Sequence, residues 1–298
     1  MYSLRKIKRG LKNPRLIGRE LNRIYHTRNG SQNHNTNGTD VFEEDWDNLI
    51  ILDACRYKLF EQIDLEGELQ SRVSKGASTP EFLRGNFRGK KLYDTVYVTA
   101  NPHFSEMKED IDSDLFKVEN IWGGEGWNNI FDTVMPETVT DKAIESFEEN
   151  SDKRLVVHYM QPHYPFVSRD EEIEIPTGIE HIWHKVMSGE VDVDPEAAWS
   201  DYRKTFDYVV EEVERLVENL EGKTVVTADH GNVYGERVSP IPIKEWGHPI
   251  GIYDEKLVKV PWMVIDGERR EIKESENTSE KESEEEEIKE KLSKLGYK

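Results

Sequence analysis

A single cysteine, Cys55, stands in a chain of 298 residues, so no internal disulfide can brace the fold. That scarcity fits a reducing compartment, and the expected location is the cytoplasm. Long apolar runs are missing too. None approaches the ~18 residues that a membrane-spanning helix needs, and the mean hydropathy of -0.77 fits a soluble chain. The basic N-terminus has neither an apolar core segment nor a small-residue cleavage site, so no secretory signal is expected. Without one, the Asn-x-Ser/Thr sequons at Asn29, Asn37 and Asn277 carry little meaning. Positive charge is also in short supply. Lys and Arg number 40 against 60 Asp and Glu, a net charge of -20. So acidic a chain repels phosphate backbones, and nucleic acid is excluded as an expected partner.

The charge that is present is uneven. Residues 1–40 carry nine Lys or Arg against two acids, a net of +7, which leaves -27 for the rest. Within residues 1–28 the basic side chains alternate with Leu4, Ile7, Leu11, Leu16, Ile17, Leu21 and Ile24 at roughly helical spacing, broken around Pro14. Such a stretch suits peripheral contact with an anionic membrane, and equally suits packing on the chain's own acidic body. A polar linker follows, so residues 1–41 read as a basic amphipathic segment with its linker. Residues 42–267 read as one catalytic-sized body. Residues 268–298 form an acidic low-complexity tail whose end predicts a short helix docking through Ile288, Leu292 and Leu295.

The body alternates short apolar runs with amphipathic helices. The runs Leu49–Asp53, Thr95–Thr99, Leu155–Tyr159, Thr224–Thr227 and Val260–Ile265 are rich in Val and Ile and lack strict alternation, as strands covered on both faces do. The clearest helix is Tyr202–Leu220, with Phe206, Val209, Val213 and Leu216 on one stripe and Gly222 beyond its end. The expected fold is α/β: a central, mostly parallel sheet with helices on both faces, in one main domain. Segments 105–150 and 168–200 read as loops without a recognisable code.

Three polar motifs stand where these strands end, the edge at which open α/β sheets bind ligands. They are Asp53 in NLIILDACR, His158 to His163 in VVHYMQPHYPF, and Asp229-His230 in KTVVTADHGN. A carboxylate closing an apolar strand costs free energy unless it is paired or bound to a cation. A metal shared by Asp53, Asp229 and His230 explains two such strand ends, one of them with its adjacent His. Mixed oxygen and nitrogen donors suit Zn²⁺ or Mn²⁺ better than Ca²⁺ or Mg²⁺. His158, in mid-strand, reads as a core histidine more readily than as a ligand. Arg56, one turn beyond Asp53, suits bidentate neutralisation of a developing charge and a surface ion pair equally.

The order LDACR, GASTPEF, QPHYPF, TADHGN and GHPIGIYDEKLVKVP resembles the alkaline phosphatase superfamily, in its sulfatase-like branch, across residues 48–265. The resemblance implies a metal-assisted in-line displacement at phosphorus or sulfur by an enzyme hydroxyl. Asp53, Asp229 and His230 match metal ligands. The nucleophile falls in Gly76–Pro80: Ser78 matches the sulfatase register, and Thr79 matches the threonine of phosphoethanolamine and lipoteichoic-type transferases. Either residue also suits a helix N-cap. His163 matches the ester-oxygen binder, and His248 the late residue that contacts the same group or a second metal. The departures point away from a formylglycine sulfatase. Cys55 lies two residues from a metal ligand, Glu81 and Phe82 follow Pro80 where sulfatases place Ser and Arg, and Asp53 is followed by Ala54. The expected activity is a metal-dependent hydrolase or transferase of phosphate or sulfate esters, glycan-linked ones included. The alternatives are a sulfate-ester hydrolase acting on a glycan, and a catalytically inactive binding protein recruited to a membrane or polysaccharide machinery.

Overall fold

A computed structural model describes residues 13–28, 33–275 and 291–295. Among the described residues eleven strands run in chain order as β1 Asn48–Asp53, β2 Glu68–Val73, β3 Lys91–Thr99, β4 Asp114–Asn120, β5 Trp127–Asn128, β6 Thr133–Val134, β7 Arg154–Pro162, β8 Thr224–Ala228, β9 Val233–Val238, β10 Ile243–Gly247 and β11 Lys259–Ile265. Seven of them form one sheet in the order β2-β11-β8-β1-β7-β3-β4. β1 lies between β7 and β8 and is parallel to both, and β3 is parallel to β7 and β4. Only β11 opposes its neighbours β8 and β2. The mostly parallel sheet expected from the sequence is present, and all five expected runs lie within its strands.

Burial on both faces follows the two-residue period of β1. Ile50 and Leu52 pack with Val139, Ala143, Tyr202, Phe206 and Val209 on one side, while Leu49 and Ile51 pack with Phe82, Leu83 and Phe87 on the other. Five helices matter here: α1 Pro14–Thr27, α2 Thr79–Phe87, α3 Pro136–Glu149, α4 Ile182–Ser188 and α5 Pro195–Glu218. α3 and α5 cover the first face, and α2 covers the second.

α5 begins at Pro195, not at Tyr202. Asp194 caps it by accepting from the Glu196 N–H at 3.2 Å; Pro195 and Glu196 are exposed and the first turn buries only the small Ala198, so no apolar stripe marks it. The two segments read as loops contain regular structure as well. β4 and α3 lie in the first, and α4 and the start of α5 in the second. β2 was not expected because it is an edge strand with half-exposed polar side chains, ELQSRV. Pro14 starts α1 instead of breaking a helix, with Asn13 as its cap; residues 1–12 lie outside the described residues. At the other end, Arg270 donates to the carbonyls of Ser151, Lys153 and Asp47 at 2.7, 2.8 and 3.0 Å, pinning the first residues of the acidic tail to the sheet. Leu292 and Leu295 are buried in the main core cluster, while Ile288 lies outside the described residues.

Candidate metal centre

Because β1, β3, β7 and β8 are parallel, their carboxyl ends meet at one edge of the sheet, and the polar motifs come together there. At the end of β1 the register with β7 shifts between Leu52 and Asp53. Ala54 then adopts a left-handed conformation with φ 60°, a conformation that costs free energy for a residue with a Cβ. The turn is held from three sides. The Ala54 N–H donates to Asp229 Oδ1 at 3.0 Å, the Tyr202 hydroxyl donates to the Ala54 carbonyl at 2.6 Å, and the Arg56 N–H donates to that hydroxyl at 2.9 Å. Tyr202 on α5 thus fixes where Asp53 points. At the end of β8, Gly231 sits so close to the Lys256 carbonyl that a Cβ would lie 2.1 Å from it. Glycine after Asp229-His230 is therefore a packing requirement.

Asp53, Asp229 and His230 are fully buried, and one ligand atom from each lies within 4.8 Å of the others. Among the described residues this is the one grouping of three or more such ligands. The His230 Nδ1 stands 2.8 Å from the Gly231 carbonyl, which can only accept, so Nδ1 carries the proton. When the ring is neutral, the lone pair of Nε2 faces Asp53 Oδ1 at 3.5 Å and Asp229 Oδ2 at 3.4 Å. A lone pair against two carboxylates is repulsive by itself and becomes favourable with a cation among the three. The donor set fits a divalent metal ion. The outer shell is ordered too. The Asn101 side-chain amide donates to Asp53 Oδ2 at 2.8 Å, and the His230 N–H donates to Asp229 Oδ1 at 2.8 Å.

Of the two candidate hydroxyls, the structure brings Thr79 to this cluster. Its Oγ1 donates to Asp229 Oδ2 at 2.7 Å and lies 3.4 Å from His230 Nε2. Ser78 is the N-cap residue of α2, and its hydroxyl turns away to Glu81 Oε2 at 3.3 Å. The buried carboxylate of Glu81 also accepts from the Ala77 N–H at 3.0 Å, the Gly251 N–H at 3.1 Å and the Tyr253 hydroxyl at 2.8 Å. It ties the Thr79 loop to the loop that carries His248. Desolvation raises the Glu81 carboxyl above the ordinary range, against the pull of these four donors.

His163 and His248 face each other, Nε2 to Nε2, at 2.9 Å. The His248 ring lies over His230 with centroids 4.5 Å apart. Burial pushes His163 down to about 3 and His248 well below the ordinary value, and the neighbouring histidines push both further, so both rings are neutral at pH 7. Arg56 is engaged elsewhere: its guanidinium donates to Glu236 at 2.6 Å and lies over the Trp199 ring at 5.2 Å. Two further site residues, Asn101 and His103, follow β3. His103 is buried, with Nδ1 2.8 Å from Glu106. They carry the same signal as the other motifs, polar residues just past an apolar strand, in VYVTANPH.

His158 hydrogen-bonds the Tyr97 hydroxyl at 2.8 Å, and its Nε2 lies 3.8 Å from Asp229, so this core histidine borders the cluster. Burial pushes it down to about 4 from 6.5. Between those values the unfolded chain binds a proton that the folded chain refuses, so stability is lost as pH falls below about 6.5. From pH 7 to pH 5 the metal-free protein should lose about 2 kcal/mol more than its His158→Gln variant in urea unfolding. Parallel pH curves would contradict the assignment.

No family model matches the sequence, and no curated protein matches it. Solved structures do. The soluble domain of lipooligosaccharide phosphoethanolamine transferase A from Neisseria meningitidis is similar at 14% identity, with 74% of this chain and 76% of that one covered and a TM-score of 0.51. The integral membrane form of the same protein matches at 14% identity over 74% of this chain, with a TM-score of 0.52. The match spans 47% of that longer chain, about half its length. A protein of the alkaline phosphatase superfamily from Vibrio parahaemolyticus is 15% identical, with 94% and 74% of the chains covered and a TM-score of 0.39. What this chain shares with the two transferase structures is the fold, an α/β architecture built on a seven-stranded, mostly parallel sheet.

Proposed function

We propose that the chain is a metal-dependent enzyme that transfers or hydrolyses phosphate esters, with Thr79 as nucleophile and Asp53, Asp229 and His230 as metal ligands. The observation that carries this reading is the Thr79 hydroxyl, 2.7 Å from Asp229 and 3.4 Å from the His230 Nε2, at the point where the three ligands converge. The mixed carboxylate and imidazole set favours Zn²⁺ or Mn²⁺. When bound, the cation supplies Lewis acidity: it eases deprotonation of a coordinated hydroxyl and offsets charge on the phosphoryl oxygens.

The chain's own residues do the rest. Asp229 holds the Thr79 hydroxyl by its proton and orients the oxygen for attack. Thr79 Oγ forms a bond to phosphorus as the bond to the ester oxygen breaks, and water or an acceptor alcohol then displaces the phosphoryl group from Thr79. The neutral His163 ring keeps its one proton on Nδ1, facing the Tyr164 carbonyl, so His248 donates from Nε2 to His163, and an ester oxygen entering here takes over that His248 N–H. Arg56, held by Glu236 and Trp199, braces the turn after Asp53. Coverage by a strongly acidic body disfavours nucleic acid as the carrier. Burial of Cys55 and an unmodified hydroxyl in the nucleophile loop favour phosphate over sulfate.

Turnover of p-nitrophenyl phosphate and p-nitrophenyl sulfate with Zn²⁺ or Mn²⁺ tests this. Metal-dependent release from the phosphate, well above that from the sulfate, is expected. A faster sulfate reaction would move the protein to sulfate esters, and no release from either would favour the binding-protein alternative.

A further inference from the structure

Helix α1 is mounted inside out for a globular surface. The residues it buries are Gly18 and Asn22. The Asn22 side chain exchanges two hydrogen bonds with the backbone of Ile241, at 2.9 and 2.8 Å, and Arg19 forks onto the buried carboxylate of Glu245 at 3.0 and 2.9 Å. The polar face therefore docks on the protein. The apolar face points outward, with Ile17, Leu21, Ile24 and Tyr25 exposed by 43%, 48%, 47% and 46%. Their spacing puts them on one stripe, where a surface helix ordinarily carries charge.

This stripe is where the molecule's exposed apolar side chains gather. Among the described residues seven large ones are exposed, and four belong to α1. A fifth, Ile250, is 58% exposed. It adjoins Gly251, whose backbone packs so closely on Arg23 that a Cβ would lie 2.9 Å from the Arg23 Cγ. The same loop carries His248, the least buried of the histidines at the metal centre. Ile250 thus stands beside the helix, in the loop that reaches the edge of the site.

Charge selects what covers it. Residues 1–28 hold nine Lys or Arg against the single acid Glu20, while the rest of the chain is strongly negative. Arg28 is exposed on the face of the stripe, and its guanidinium lies 3.8 Å over the Tyr25 ring. A second copy pairing through this stripe would bring two cationic helices together. An anionic surface attracts this edge and repels the remainder, which fixes the orientation.

We propose that α1 and Ile250 form a docking surface for an anionic phospholipid bilayer, with the stripe seated at the headgroup–acyl boundary and the His248 side of the site against the membrane. Docking needs no turnover, so it stands or falls separately from the role of Thr79. The full chain should co-sediment with vesicles of phosphatidylcholine and phosphatidylglycerol, less with phosphatidylcholine alone, and less as salt rises. Ile17→Ser/Leu21→Ser/Ile24→Ser should weaken binding by at least about tenfold, with an unchanged thermal unfolding midpoint because these side chains face out. Because Cys55 is buried, Ile24→Cys takes a polarity-sensitive dye selectively, and its emission should rise on the mixed vesicles. Equal binding of wild type and triple variant, or unchanged emission, would overturn the proposal. So would vesicle-independent dimerisation of the wild type that the triple variant lacks, since it would assign the stripe to a second copy.

Discussion

Thr79→Ala is expected to lower kcat/KM for a phosphate monoester by at least about 10³-fold, whereas Ser78→Ala keeps activity within a few-fold. The two hydroxyls are neighbours in sequence with different surroundings. Thr79 donates to Asp229 at 2.7 Å beside the ligand cluster, whereas Ser78 donates to Glu81 at 3.3 Å. Loss of the Ser78 hydroxyl leaves Glu81 three other donors, from Ala77, Gly251 and Tyr253, so the loop keeps its place. Thr79→Ala should still bind metal, because the three ligands remain, and lose about 1 kcal/mol of stability with one buried hydrogen bond. Thr79→Ser should restore part of the rate. A Thr79→Ala enzyme as active as wild type would remove Thr79 from the chemistry.

Asp53→Asn has the second large effect, and it separates function from stability. The substitution keeps shape and removes one charge from a cluster in which two buried carboxylates face one imidazole nitrogen at 3.5 and 3.4 Å. Metal affinity should fall by at least about 100-fold, since outer-shell changes alone cost up to that much. Turnover falls with it. The metal-free protein should nevertheless unfold at the same temperature as wild type or higher, because a buried like-charge conflict is relieved. Wild type should gain thermal stability on adding Zn²⁺ or Mn²⁺, and Asp53→Asn should not. Calorimetric titration with paired thermal scans in chelator and in metal checks both halves. Unchanged affinity would take Asp53 out of the ligand set.

What could be read from the sequence divides along physical lines. The buried strands β1, β3, β7, β8 and β11 were legible because being covered on both faces forces continuous Val and Ile runs. β2 and β4 are edge strands with polar side chains, and a half-exposed strand leaves no such run. α3 has apolar residues at Val139, Ala143 and Phe147 behind Pro136, and its acidic outer face masked that stripe. Asp53, Asp229 and His230 were legible as polar residues closing apolar strands, and the structure brings them together. Asn101 and His103 carry the same mark after β3. Choosing between Ser78 and Thr79 needs the direction in which α2 begins, and a local pattern does not contain that. The grip of Tyr202 on the Ala54 turn, and that of Glu81 on two loops, join residues far apart in the chain, so only the fold reveals them.

The most direct measurement is anomalous diffraction from crystals of the wild-type chain grown with Mn²⁺ or Zn²⁺. The result expected is a peak among Asp53, Asp229 and the His230 Nε2, at ~2.0–2.2 Å from each, with Thr79 beside it. Full loading with the peak elsewhere, or no peak while His230 donates a proton to the carboxylates, would contradict the metal centre.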